Sequence, residues 1–419
     1  MTLPAPETLT ALVDRILRID DVTLGDEHNK FAVRYRGQLR IDSMAAYDQL
    51  ADAVAPYGLT PLFRLDETDG RHIIYLMPGV VSTEIGNIKL NIALLIFTII
   101  SVMMAGMTMN EPLPSDLPGA ILAIARNILS GWPFALALMS ILLAHEFGHY
   151  LVGRKNKTPV SLPYFIPLPF VGLLGTMGAF INMKAPPRNR RALFDIGVAG
   201  PLAGLVVAIP VLILGLSLST VEPLTDFTYP TRALAAHICP EPQPTPGGYT
   251  CDGDNLLEGN SLLYLGLKYL VKGQLLPAPP AYDGSPVLYW LRYIFTGGPI
   301  PFGGQDVILH PVALAGWAGL LVTALNLIPA GQLDGGHIAY VLLGKRVRGF
   351  FWFIIAILGV LGIFWSGWWL WAGILFFLGR GHAEPLDTIT ELDPQRRRLG
   401  WLMLIVFVLV FTPVPFVVF

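Results

Sequence analysis

Apolar positions along this chain follow two different patterns, divided near residue 85. Before that point short apolar runs are broken by charged residues. Residues 6–18 repeat with a helical period, FAVRYRGQLRI (31–41) reads as a hairpin turning near Gly37, and a helix is expected over 43–55. Strand-like runs at 60–65 and 72–77 follow, separated by the turn residues DETDG. Residues 1–85 are therefore expected to form a small soluble α/β domain with a regulatory or docking role. His28 and His72 stand singly in it and read as surface or structural residues.

Beyond residue 85 the apolar runs lengthen to about twenty residues, each enough to cross a bilayer core of roughly 30 Å as a helix. Candidate spans are 89–109, 131–152, 193–217, 309–329, 349–365, 366–380 and 399–417; the stretch 118–130 extends the second span or lies in the interface. Residues 158–183 (TPVSLPYFIPLPFVGLLGTMGAFINM) are apolar but broken by prolines and glycines. Such a segment cannot face lipid as a helix, because its backbone groups would go unpaired, and it is expected to be a re-entrant hairpin packed within protein. Residues 218–308 are rich in Pro and Gly, with amphipathic patches near 256–271 and 287–295 that suit the outer interface. The tryptophans of WSGWWLW (365–371) read as an interfacial belt.

Composition agrees. Of the 419 residues 53% are hydrophobic and only 14% charged, and mean hydropathy is +0.57. Soluble domains carry about a quarter charged residues, so the deficit requires a non-aqueous environment. The net charge of −2 excludes nothing, and no basic block suggests nucleic acid. No cleavable signal peptide is read in the polar stretch before the first apolar run. Cys239 and Cys251 share one Pro/Gly-rich loop; a short-range disulfide and two free thiols are both compatible with that spacing.

Lysine and arginine set the orientation. With the N-terminal domain cytosolic, the inner connections hold Arg154, Lys155, Lys157, Lys184, Arg188, Arg190, Arg191, Lys345, Arg346, Arg348 and Arg396 to Arg398, whereas 218–308 holds only four such residues. The expected fold is a polytopic α-helical membrane protein of about 6–8 spans with a re-entrant hairpin. Its segments are 1–85, the membrane part 86–217, the extracytoplasmic loop 218–308 and the membrane part 309–419.

The chemistry concentrates at HEFGH, residues 145–149, near the cytosolic end of the second span. Histidines at i and i+4 share one helix face, so His145 and His149 can both reach one Zn²⁺. Glu146, between them, can serve as a general base towards water. Interhelical hydrogen bonding by the histidines is the bland alternative. Three ionisable side chains within five residues of an apolar helix are expensive, however, and such groups mark functional sites. Catalytic zinc takes three protein ligands, and the best third candidate is Asp334 in LNLIPAGQLDGGH (325–337). That run closes the 309–329 span on the same inner side, and Pro329, Gly331, Gly335 and Gly336 would let the chain bend its carboxylate inward. His310 starts its span at the opposite face and is rejected as a ligand; His337, three residues after Asp334, reads as a polar contact at a helix start, with support of the metal ligands as the alternative, and Asp195 is expected to pair with Arg191.

HExxH on one span, followed by Asn326-x-x-Pro329-x-x-x-Leu333-Asp334-Gly335 on a later one, resembles the site-2 protease family of intramembrane zinc metalloproteases. GTMGA (175–179) is similar to that family's re-entrant strand region and FDIGVAGPLAG (194–204) to its following helix, so the resemblance covers roughly 130–345. It implies one zinc held by His145, His149 and Asp334, Glu146 as catalytic base, and Asn326 touching substrate or the developing oxyanion. An interhelical hydrogen bond is the alternative for Asn326. A strand edge at 172–182, with Gly172, Gly175, Thr176 and Gly178, could pair with an unwound substrate; equally, it could be a loop filling space. Many bacterial relatives carry an inserted PDZ domain, which 218–308 does not resemble; the N-terminal domain and extra C-terminal spans look more like the plastid and cyanobacterial branch. The expected activity is endopeptidase cleavage of transmembrane substrates in the bilayer. The alternatives are a zinc-binding membrane transporter and an inactive homologue.

Overall fold

The computed structural model describes residues 4–26, 30–66, 68–79, 87–108, 114–169, 174–224, 243–245, 248–250, 256–379 and 384–418. His28, Gly172, Cys239 and Cys251 lie outside them.

The N-terminal region folds as α1 (Pro6–Asp14), β1 (Leu17–Leu24), β2 (Val33–Leu39), α2 (Ser43–Val54), β3 (Leu59–Leu65) and β4 (His72–Pro78). The strands form one antiparallel sheet in the order β1-β2-β4-β3. Leu9 and Val13 of α1 and Leu50 and Val54 of α2 share a core with Tyr35, Phe63 and Ile74 of the sheet. Alternation in β2, β3 and β4 explains this: every second residue is apolar and buried. The hairpin expected within 31–41 is instead a single strand, and its partner is β1. Two features hid β1. Its sequence LRIDDVTL is polar, and a bulge between Ile19 and Asp21 breaks the alternation. His72 is structural as expected, accepting from the Leu39 amide at 3.0 Å.

The rest is mostly helical: α3 (Ile88–Ala105), α4 (Leu117–Asn127), α5 (Trp132–Lys155) and, after the hairpin β5 (Tyr164–Pro167) and β6 (Thr176–Phe180), α6 (Arg190–Leu218). The short strands β7 (Thr220–Pro223), β8 (Gln243–Thr245), β9 (Gly248–Thr250) and β10 (Leu256–Glu258) lead to α7 (Leu262–Lys272), α8 (Pro286–Thr296) and β11 (Gln305–Ile308). Helices α9 (Pro311–Asn326), α10 (Asp334–Leu343), α11 (Val347–Leu361), α12 (Gly367–Leu378) and α13 (Pro394–Val410) follow, and β12 (Phe416–Val418) ends the described chain.

Three helical stretches are long and apolar enough to cross a membrane, 88–105, 117–155 and 190–218; shorter apolar helices run over 311–326, 349–361 and 367–377. The apolar stretch at 118–130 is helical as α4 and leads into α5 through a 3₁₀ turn at Ile128–Gly131. Helices α5, α6 and α9 pack together at the centre, around Leu138, Leu142, Leu205, Leu212, Trp317 and Leu320. Within segment 158–183, strands β5 and β6 pair antiparallel and lie against α3, where Ser101 Oγ donates to Gly175 O at 2.5 Å. The amphipathic patch near 287–295 is helical, as α8, and the one near 256–271 is β10 followed by α7; two strand pairs (β7–β11 and β10–β12) tie this segment to the helix ends.

Two contacts differ from expectation. Asp195 pairs with Arg396 of α13 through two hydrogen bonds of 2.7 and 2.8 Å, while Arg191 donates to the Glu391 carbonyl. Arg396 lies some two hundred residues away in sequence, so proximity along the chain favoured the wrong arginine. Trp368 is not part of a belt: it is buried against Phe411 and donates to the Pro413 carbonyl at 2.5 Å. Trp369, beside it, faces outward as expected.

Candidate metal centre

Helix α5 presents His145, Glu146 and His149 towards the bundle centre, where all three are buried. Opposite, α9 ends at Asn326. The chain then turns through Leu327–Leu333 and starts α10 with Asp334. The turn is tight: a Cβ at Gly335 would lie 2.0 Å from the Leu327 carbonyl oxygen, so only glycine fits there. Asp334 is thereby brought back to the two histidines. Its Oδ2 lies 3.3 Å from His145 Nε2 and 3.2 Å from His149 Nε2, and the two Nε2 atoms are 3.2 Å apart.

These three separations test whether an ion fits. Donors at about 2.0–2.1 Å from a tetrahedral zinc are separated by about 3.3 Å, the edge of that tetrahedron. All three edges of the donor triangle match this value, and two imidazoles with one carboxylate form a donor set that zinc accepts. Among the described residues this is the one group of three His, Cys, Asp or Glu side chains close enough to share an ion.

Surrounding groups aim the donors. The Ile196 carbonyl lies 2.7 Å from His149 Nδ1 and accepts its proton, which leaves Nε2 with its lone pair towards Asp334. Helix α6 passes close on the other side. A Cβ at Gly200 would lie 2.0 Å from His149 Nε2, and one at Gly204 would lie 3.2 Å from His145 Nδ1. The run FDIGVAGPLAG therefore supplies bare backbone where the imidazoles need room. The glycine spacing was visible in the sequence; which helix it faced was not.

Asn326 Nδ2 is 3.3 Å from His145 Nε2, at the edge of the same site. A cleft of about 570 Å³ opens here, lined by His145, Glu146, His149, Asn326 and Asp334. One wall is residues 179–187; Gln332, Leu333 and His337 contribute to another side. Of the 179–187 wall, residues 179–182 belong to the strand edge read at 172–182, whereas nothing in the sequence marks 183–187 as cleft-lining. Of the hairpin residues singled out, Gly175 packs on α3, where a Cβ would lie 2.4 Å from the Ser101 carbonyl oxygen. Thr176 Oγ1 donates to the Ile166 carbonyl at 2.8 Å and receives the Gly178 amide at 3.0 Å, so it braces the hairpin. The strand then runs on into the cleft wall at Ala179. His310 caps α9 by accepting from the Val312 amide, away from the site as expected.

Residues 133–361 match the model of Peptidase family M50. The chain is also 29% identical over 284 residues to a rice protein (Oryza sativa subsp. indica) named "Probable zinc metalloprotease EGY2, chloroplastic", covering 67% of this chain and 42% of that one. The Arabidopsis thaliana proteins named as probable zinc metalloproteases EGY2 and EGY1, both chloroplastic, are each 29% identical, over 291 and 299 residues, 68% and 67% of this chain and 42% and 43% of theirs. The chain thus spans about two-fifths of the length of the curated relatives it matches. No solved structure matches it significantly. The matched stretch takes in the two histidines, the glutamate, the asparagine and the aspartate that meet at the cleft, and the chain belongs to peptidase family M50, the site-2 protease group that its two motifs resemble.

Proposed function

We propose that this chain is a zinc endopeptidase that cleaves membrane-inserted proteins within the bilayer, with zinc held by His145, His149 and Asp334. The observation that carries this reading is the donor triangle, with edges of 3.2, 3.2 and 3.3 Å, in a cleft that Glu146 also lines. The zinc metalloprotease names of the relatives support it. Bound zinc would polarise water and the scissile carbonyl, supplying a nucleophile near neutral pH. The chain's own residues do the rest. Glu146, the one ionisable residue of the motif outside the donor triangle, takes a proton from the attacking water and returns it to the leaving nitrogen as the C–N bond breaks. Asn326, an amide donor at the edge of the site, suits the oxygen that gains charge in the transition state.

A transmembrane helix hides its amides in internal hydrogen bonds, so the substrate must unwind before attack. Strand β6 pairs with β5 on one side in a two-stranded sheet, and its continuation lines the cleft; an extended substrate would add to its other edge. Arginine- and lysine-rich connections orient the site and the N-terminal domain towards the cytosol in a multi-pass protein.

Glu146→Gln tests the reading. The variant should retain zinc and lose about 10²- to 10⁴-fold in cleavage of a reconstituted membrane substrate, the range that general acid–base catalysis supplies. His145→Ala should lose both metal and activity. Wild-type cleavage by Glu146→Gln would remove the base from the scheme.

A further inference from the structure

The wall of the cleft does not end in the membrane region. From Pro187 to Asn189, just before α6, the backbone is paired with a short strap, residues 384–390, that links α12 to α13. Leu386 N donates to the Pro187 carbonyl at 2.9 Å and Asp387 N to the Arg188 carbonyl at 2.8 Å. The strap's opposite edge joins the N-terminal sheet: Phe63 N donates to the Leu386 carbonyl at 2.9 Å, and Thr388 N to the Phe63 carbonyl at 3.2 Å. Strand β3, the strap and the end of the cleft wall thus form a parallel, hydrogen-bonded ladder across three regions that are far apart in sequence.

Side chains fasten the ladder at one residue. Asp387 is fully buried. Its Oδ1 receives the amides of Ile389 (2.8 Å) and Thr390 (3.2 Å), and its Oδ2 receives the hydroxyls of Ser43 (2.8 Å) and Thr390. Burying a carboxylate is costly unless it is fully hydrogen-bonded, and here four donors, one of them from α2 of the N-terminal domain, satisfy it. Arg64 adds hydrogen bonds to the Pro385 and Leu386 carbonyls, and Arg188 pairs with Asp48 of α2 at 2.8 Å. Leu386 itself is part of the N-terminal domain's core.

We propose that Asp387 is a positioning residue through which the N-terminal domain, by way of the 384–390 strap, holds the 179–187 wall of the cleft in its substrate-accepting position. This gives the N-terminal domain a role in catalysis without touching substrate. The proposal rests on the peptidase reading of the cleft. It predicts that loosening the strap weakens substrate binding and leaves the metal site intact, because the histidines and Asp334 are held by α5, α6 and α10.

The experiment uses the full chain in lipid nanodiscs, with hydrogen–deuterium exchange, zinc analysis and steady-state cleavage measured in parallel. Asp387→Ala should speed exchange of the wall amides of Asn182 and Lys184, which donate to Ser161 Oγ and the Pro159 carbonyl, as well as of the strap amides at 386–390, keep one zinc per chain, and raise KM at least fivefold with kcat changed less than twofold. Asp387→Asn, which keeps an acceptor, should recover part of the KM. If Asp387→Ala does not fold, Ser43→Ala and Arg188→Ala, each removing one fastening, should move exchange and KM in the same direction by smaller amounts. Unchanged exchange at Asn182 and Lys184 in these variants would overturn the proposal, and so would faster exchange with wild-type KM. A wild-type chain that cleaves no substrate would instead sink the peptidase reading, and exchange at the wall would still report whether the strap holds it.

Discussion

At position 200 the backbone of α6 passes His149 so closely that no side chain can stand between them. Gly200→Ala should therefore push the imidazole out of the donor triangle. Groups supporting a metal's ligands are commonly worth about 10- to 100-fold in affinity, and a loss of at least that size is expected here, measured by competition with a chromogenic chelator. Gly204→Ala meets His145 at 3.2 Å rather than 2.0 Å and should cost less. Equal affinities for the two variants and the wild type would mean that α6 does not set the imidazole positions. The same scale explains why the ligands were legible beforehand and their supports were not. His145, His149 and Asp334 advertise themselves as ionisable groups in apolar surroundings, whereas the Ile196 carbonyl belongs to a residue whose side chain says nothing about it.

Among the elements, the strands and helices between α6 and α9 carry a second buried ionic cluster. Lys268 of α7 donates to Glu258 of β10 at 2.8 Å and lies 3.9 Å from Asp306 of β11; Tyr264 also donates to Glu258, at 3.0 Å. Two carboxylates here share one ammonium. Burial pushes the Asp306 carboxyl up to about 7, with Lys268 opposing the rise and Glu258 adding to it. Because the folded form holds this proton more tightly than the unfolded chain, Asp306 costs nothing at low pH. Its penalty grows as pH rises from about 4 and is complete above about 7. Amide exchange in β7 and β11 should thus be slower, once corrected for intrinsic rates, at pH 5 than at pH 8, and Asp306→Asn should flatten that difference. A cluster whose local stability increases with pH would contradict the assignment. None of this was legible from sequence, because Lys268, Glu258 and Asp306 lie on three separate short elements in a loop read as Pro/Gly-rich. The long apolar helices were legible, since length and composition alone define them. Strand β1 was not, because its bulge and its acidic residues erase the two-residue period.

For the molecule as a whole, the proposed orientation, argued from the lysines and arginines, puts the N-terminal sheet, the strap and the cleft on one side of the bilayer and α7, α8 and β11 on the other. Cysteines introduced at Lys155 and at Asp283 should react with membrane-impermeant maleimide from opposite sides, the first from the cytosolic face. Labelling of both from one side would rule out the topology, and labelling at 155 from the outside would invert it. What the sequence could not convey at this scale is that residues 63, 187 and 386 meet, because parallel pairing between distant segments leaves no periodic trace.

The central claim is that an imidazole pair from α5 and a carboxylate from the start of α10 share one ion. X-ray absorption at the zinc edge, on purified protein of known metal content, measures this most directly. The account predicts about one zinc per chain, bound by nitrogen and oxygen donors at about 2.0–2.2 Å with the scattering signature of two imidazoles, and loss of that site in Asp334→Ala. Zinc well below one equivalent, sulfur in the coordination shell, or an unchanged spectrum in Asp334→Ala would contradict it.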